Sequence, residues 1–126
     1  MAVVSRPSLD QIFAGMRKAM GSVPSAVEKL SRVDPELVYE HLRSRAYAMP
    51  DQSPALSDET RTLIYLAAAL AGSSSHCVQA MADKARTQGI AREKLLETVR
   101  IVRFAMATKI IGDAEPVFDA VEKAGK

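Results

Sequence analysis

A chain of 126 residues with 48% hydrophobic content is long enough to bury a core and too short to build two, so one domain spanning residues 1–126 is expected. Seventeen Lys and Arg stand against fifteen Asp and Glu, a formal net charge of +2. The two signs are interspersed rather than gathered into a stripe that would track a phosphate backbone, which argues against a nucleic-acid partner.

The N-terminal MAVVSRPSLDQIF lacks the apolar stretch of a signal peptide, and the longest apolar run, Leu63 to Ala71, falls far short of the ~20 residues that cross a bilayer. A cytoplasmic protein with no membrane partner is therefore expected. No alternating apolar run bounded by turn residues suggests a strand, so the expected class is all-α. Ser8 and Gln11 form a capping-box pattern that opens a helix running to Met20, with Gly21 to end it. Ser25 and Glu28 repeat the pattern behind Pro24 and predict a short helix to about Arg32. Asp34-Pro35, a cap followed by a proline whose missing N–H costs nothing at the first helical position, predicts a third helix towards Met49. Pro50 to Pro54, enclosing Asp51, Gln52 and Ser53, reads as a loop between a helical arm over 1–50 and a core over 56–121.

Three core helices are expected at about 57–72, 74–88 and 92–111. The first carries LIYLAAALA, apolar on nearly every face, and must be covered on several sides by other helices or by another subunit. After Gly72, Ser73 or Ser74 is placed to cap the second, which turns Val78, Met81, Ala82 and Ala85 inward and Gln79, Asp83 and Arg86 outward. The third aligns Leu95, Val99, Val102, Met106 and Ile110 on one side, with Leu96 and Phe104 widening the apolar face. Gly112 is expected to end it and Asp113 to cap a last short helix.

Between Leu56 and Ile111 the chain reads LSDETRTLIYLAAALAGSSSHCVQAMADKARTQGIAREKLLETVRIVRFAMATKII: an Ala-rich helix, a Gly-Ser turn carrying His76 and the only Cys, then two more helices. This segment resembles the carboxymuconolactone decarboxylase and alkylhydroperoxidase D superfamily, and GSVPSAVEKLSRVDPEL ahead of it is similar to the arm that often precedes the family core. The resemblance implies an alkylhydroperoxidase D-like helical bundle. It also implies assembly with copies of itself as a trimer or hexamer.

In the alkylhydroperoxidase D branch the resemblance implies a Glu on the first core helix followed by Cys-x-x-Cys-x-x-x-His at the start of the second. A carboxylate and an imidazole there relay a proton off one thiol, while the other Cys resolves the oxidised product as a disulfide. Laid on that pattern, the Glu position is Thr62, the first Cys is Ser74, the second is Cys77 and the His is Met81, so the CxxC motif is degenerate and no resolving thiol remains. The decarboxylase branch aligns a His-Glu pair with His76 and Cys77 and a further His with Met81, and only His76 matches. An imidazole there can protonate the carbanion or enolate left by loss of carbon dioxide, or anchor a carboxylate.

His76 and Cys77 are therefore the candidate catalytic residues, and Tyr65 and Met81 the candidate walls of a small apolar pocket near the turn. Each has a plainer alternative: Cys77 as a buried inert thiol, His76 as a cap or subunit contact, Met81 as core filler and Tyr65 as an interface aromatic. One Cys and two His give no metal-ligand spacing, and no cofactor or metal is assigned. The resemblance implies a divergent decarboxylase-family protein acting on a small organic acid or lactone. The alternatives are a thiol antioxidant using Cys77 alone and a non-catalytic binding or assembly protein.

Overall fold

The computed structural model describes residues 5–52 and 54–125, so residues 1–4, Ser53 and Lys126 lie outside the described residues. Seven helices and no strand occur among the described residues: α1 (Leu9–Met20), α2 (Ser25–Val33), α3 (Pro35–Ala48), α4 (Asp58–Ala71), α5 (Ser75–Gln88), α6 (Arg92–Asp113) and α7 (Glu115–Ala124). The all-helical class and the three core helices follow the sequence expectation. None of the helices among the described residues is long and apolar enough to cross a membrane.

Three of the seven helix starts are written in the sequence as side-chain caps. Ser8 Oγ accepts from the Gln11 N–H at 3.1 Å while the Gln11 side chain accepts from the Ser8 N–H at 2.8 Å, a complete capping box. Asp34 and Ser57 cap α3 and α4 by accepting from Leu37 and Thr60. Gly21 and Gly89, at φ of +86° and +67°, supply the left-handed residues that end α1 and α5.

Two boundaries differ from expectation. Ser25 and Glu28 form no capping box: Pro24 takes the cap position without a side-chain bond, so Ser25 is already inside the helix. Gly112 does not end α6, because the Lys109–Asp113 ion pair spans the last turn and the Ala114 N–H bonds back to the Ile110 carbonyl at 2.9 Å. The break comes at Pro116, which has no N–H to offer the Gly112 carbonyl. Asp113 is thus the last residue of α6 rather than a cap for α7.

Packing is centred on α4 and α5. These helices are antiparallel neighbours joined by Gly72, Ser73 and Ser74; α1 leans on α5, α6 lies along α4, and α2 pairs with α3. Thr62, Leu66 and Ala69 of α4 meet Met81 and Ala85 of α5 in the core, with Ile12, Val38 and Ile90 completing it. Only part of the expected inward face of α5 is buried: Ala82 is exposed, because the face turned to α4 and α1 is the Cys77, Met81 and Ala85 side. Helix α6 departs further. It buries no residue, and Val99, Phe104, Met106 and Ile110 stand exposed, since α4 covers one side of this 22-residue helix and only its end touches α7.

The segment entering α1 is tied to α3 at Arg6 and Pro7. Arg6 stacks over the Tyr39 ring at 3.8 Å and forks onto Glu36 with contacts of 2.7 and 2.8 Å, while the Tyr39 hydroxyl donates to the Pro7 carbonyl at 2.9 Å.

The α4–α5 turn carries a local strain. Ser74 N–H reaches back to the Ala69 carbonyl at 2.9 Å, closing a Schellman-type end in which the left-handed position falls on Ser73, at φ +57°, and not on Gly72. A side chain in that conformation costs about 1 kcal/mol. Ser73→Gly is therefore expected to raise unfolding stability by up to about 1 kcal/mol in urea denaturation, the gain offset in part by the extra freedom of glycine in the unfolded chain.

Candidate functional site

The antiparallel register of α4 and α5 decides which side chains meet. Going back along α4 corresponds to going forward along α5: Tyr65 faces Cys77, and Thr62 faces Gln88. The Tyr65 hydroxyl lies 3.7 Å from Cys77 Sγ. That contact, and then partial burial, push the Tyr65 phenol above its usual range, with the nearby Arg45 guanidinium opposing them. Cys77 is half-buried and is the one cysteine of the chain.

The four positions on the redox pattern do not converge. Thr62 is fully buried and its hydroxyl donates to Gln88 Oε1 at 2.8 Å, at the far end of the hairpin from the turn. Ser74 caps α5 without a side-chain bond, and Met81 is buried in the core. Apolar packing and a neutral hydrogen bond thus stand where the relay would place an imidazole and a carboxylate. His76 is exposed in the first turn of α5, about 100° around the helix from Cys77, so the two candidate catalytic residues do not share a face.

A shallow cavity of about 370 Å³ opens beside the turn, with Ala69, Leu70, Ser73, Ser74 and Val78 among its walls. Neither Tyr65 nor Met81 lines it, contrary to the expected pocket. Met81 is drawn into the core, and Tyr65 lies on the face of α4 that meets Cys77.

That second face holds groups the sequence reading passed over. One turn below Tyr65, Arg61 is 12% exposed in its side chain; its Nη2 pairs with Asp58 and its Nη1 donates to the Pro50 carbonyl at 2.8 Å. Its Nε is buried with no hydrogen-bond partner among the described residues. Two turns beyond Cys77 on α5, Lys84 is half-buried. Burial first, and then Arg45 and Arg61, push its ammonium below the usual lysine range, against the opposing pull of Asp58 and Asp51. Helical spacing alone aligns Arg61 with Tyr65 and Cys77 with Lys84. Arg45, exposed on α3, acts on Tyr65 and Lys84 only as a charge, with no side-chain hydrogen bond or ion pair among the described residues.

Among the described residues no group of three His, Cys, Asp or Glu side chains is gathered as metal ligands. A family model, the Carboxymuconolactone decarboxylase family, matches residues 35–120, more than half of the chain. The chain belongs to the carboxymuconolactone decarboxylase family. A search of curated proteins finds no match. The family region begins at Pro35, so it takes in all of α3 as well as the core expected from residue 56, and it includes Arg61, Tyr65, Cys77 and Lys84.

The lowered ammonium of Lys84 has a consequence for stability. Between its folded value and the ordinary lysine value of 10.5, the unfolded chain holds a proton that the folded chain has shed, so stability rises with pH across that window. At neutral pH the charged Lys84 therefore costs stability. Lys84→Met is expected to raise the melting temperature at pH 7, and the advantage over wild type should shrink as the pH approaches 10.5. Parallel thermal melts across that range check it.

Proposed function

We propose that this chain is a divergent carboxymuconolactone decarboxylase-family protein that acts on a small organic acid or lactone, and that it works as an assembly of its own copies. The observation that carries the first part is the family match over residues 35–120, within which His76 stands at the decarboxylase position in the exposed first turn of α5.

In a decarboxylation of this kind the bond to the carboxylate carbon breaks and carbon dioxide leaves. The electron pair remains on the ring carbon, delocalised into the unsaturated lactone, and a proton donor quenches it. His76 matches the family's decarboxylase pattern and is exposed, so a bound ligand can reach its imidazole. Turnover of a carboxylated unsaturated lactone, followed by release of carbon dioxide, is expected in the wild type. General acid help is worth about 10²- to 10⁴-fold, so His76→Gln should lower the rate by at least about 10²-fold. Full activity in His76→Gln with none in Cys77→Ser would overturn the role given to His76.

The Tyr65–Cys77 contact favours a second reading, a thiol antioxidant using Cys77 alone. The thiolate would attack a hydroperoxide, breaking the O–O bond to give a sulfenic acid and an alcohol, and an external thiol would then reduce the sulfenic acid. Multiple turnover of an organic hydroperoxide with added thiol, lost in Cys77→Ser, is the outcome that would move the protein into this class.

Self-assembly rests on α6 and α7. Ile101, Phe104 and Ile111 recur at helical spacing on α6, and Val117, Phe118 and Val121 continue the exposed apolar surface on α7. Contiguous apolar surface of this kind marks an interaction site. We take its occupant to be a second copy, as the family resemblance implies, in a trimer or hexamer. Light scattering at micromolar concentration should find a stable oligomer, and Phe104→Glu should dissociate it; a wild-type monomer would overturn the assembly.

A further inference from the structure

We propose that two copies of the chain exchange α7, each laying this helix along the apolar stripe of the other's α6 so that the acidic side of α7 meets Arg100 and Arg103 there. This rests on the self-assembly reading above and names the elements that make the contact.

The second half of α6 and all of α7 have no cover of their own. Every residue over 103–113 and over Glu115–Ala124 is exposed, and α6 is the one helix that α7 meets by more than a passing contact among the described residues. A helix as short as α7 needs packing to persist, since isolated helices below about 12–15 residues are marginal in water. Nor can α7 fold back over its own α6. A single residue, Ala114 at φ −84° and ψ 0°, joins the two, whereas helices lying side by side and antiparallel need a loop of about 2–5 residues.

The two surfaces are complementary in both apolarity and charge. On α6, Leu95, Thr98 and Val102 are half-buried and mark the side that α4 covers, so Ile101, Phe104 and Ile111 fall on the other side, where Phe104 is 74% exposed. Arg100 and Arg103 border that stripe. On α7, Val117, Phe118 and Val121 share a side, and Glu115, Asp119 and Glu122 recur beside them at i, i+4 and i+7. None of these five charged side chains forms an ion pair among the described residues. Apolar stripe and basic border on one helix, apolar stripe and acidic border on the next, are thus two halves of a contact that one chain cannot close. A second copy brings both missing halves. Reciprocal exchange covers both stripes at once about a two-fold axis, which a hexamer of paired trimers contains and a lone trimer lacks.

The test is a pair of charge-reversed full-length chains, one carrying Arg100→Glu with Arg103→Glu and the other Asp119→Lys with Glu122→Lys, followed by sedimentation velocity at low salt. All four positions are exposed, and circular dichroism will show that the body of the fold is kept. Like charges brought face to face should raise the dissociation constant of each variant alone by about tenfold or more. Mixed one to one, the variants should regain the wild-type size, because each then offers the other an opposite charge. Variants that keep the wild-type assembly alone, or that dissociate and stay apart on mixing, would overturn the exchange while leaving self-assembly through another contact standing. A monomeric wild type would overturn both, and would leave the stripe to a partner of a different kind.

Discussion

The constraint on which the rest depends is the tight antiparallel return of α5 upon α4. A connection of only Gly72, Ser73 and Ser74 leaves the second helix no choice of register. Once Ser74 is bonded to the Ala69 carbonyl, Tyr65 must fall opposite Cys77 and Thr62 opposite Gln88. The same register puts Met81 and Ala85 into the core with Leu66 and Ala69, and it brings the Arg61 charge near enough to act on Lys84. Gly72 permits the turn by having no Cβ, which would stand 3.1 Å from the Ala68 carbonyl. The chain accepts a left-handed serine next to it.

Two kinds of polar burial follow from that hairpin, and they differ in energetic character. The Thr62–Gln88 bond satisfies a fully buried hydroxyl with a neutral partner and asks nothing further of its surroundings. The Arg61 and Lys84 region is not satisfied in this way. It keeps cations partly desolvated, one donor unpaired and one ammonium shifted towards its neutral form. A fold selected for stability alone would replace Lys84 by an apolar residue of similar length.

Much of the fold was legible because its signals are local. The capping box at Ser8, the Asp34-Pro35 start, the Ser57 cap and the glycines at 21 and 89 each act within a few residues, and the apolar spacing of α4 and α5 marks them as core helices. The failures share a physical cause, competition from a neighbouring residue. Pro24 displaced the Ser25 cap, and the break at Gly112 was overridden by an ion pair before it and postponed to the proline after it. The site was less legible than the fold. The family frame located Cys77 and Thr62, but their identities lead away from the frame's chemistry, and the partners they have, Tyr65 and Gln88, are set by the register of two helices. The effect of the Arg45 charge on Tyr65 and Lys84 was out of reach because it acts between elements distant in sequence, which no local spacing encodes.

The arm that leads into α1 is fastened differently from everything else in the protein. Its hold on α3 is one guanidinium shared between a carboxylate and an aromatic ring, backed by the Tyr39 hydroxyl bond to the Pro7 carbonyl, and Glu36 is kept below the usual carboxylate range by Arg6. Because Glu36 titrates below its unfolded value, this fastening is intact at neutral pH and fails as the pH falls through the folded value. Exposed charge contacts also fade with added salt, whereas the apolar contacts between α4 and α5 do not. Acid or high ionic strength should therefore loosen the first residues from α3 well before the hairpin opens. The segment so weakened leads into a helix that leans on the same α5 that carries Cys77.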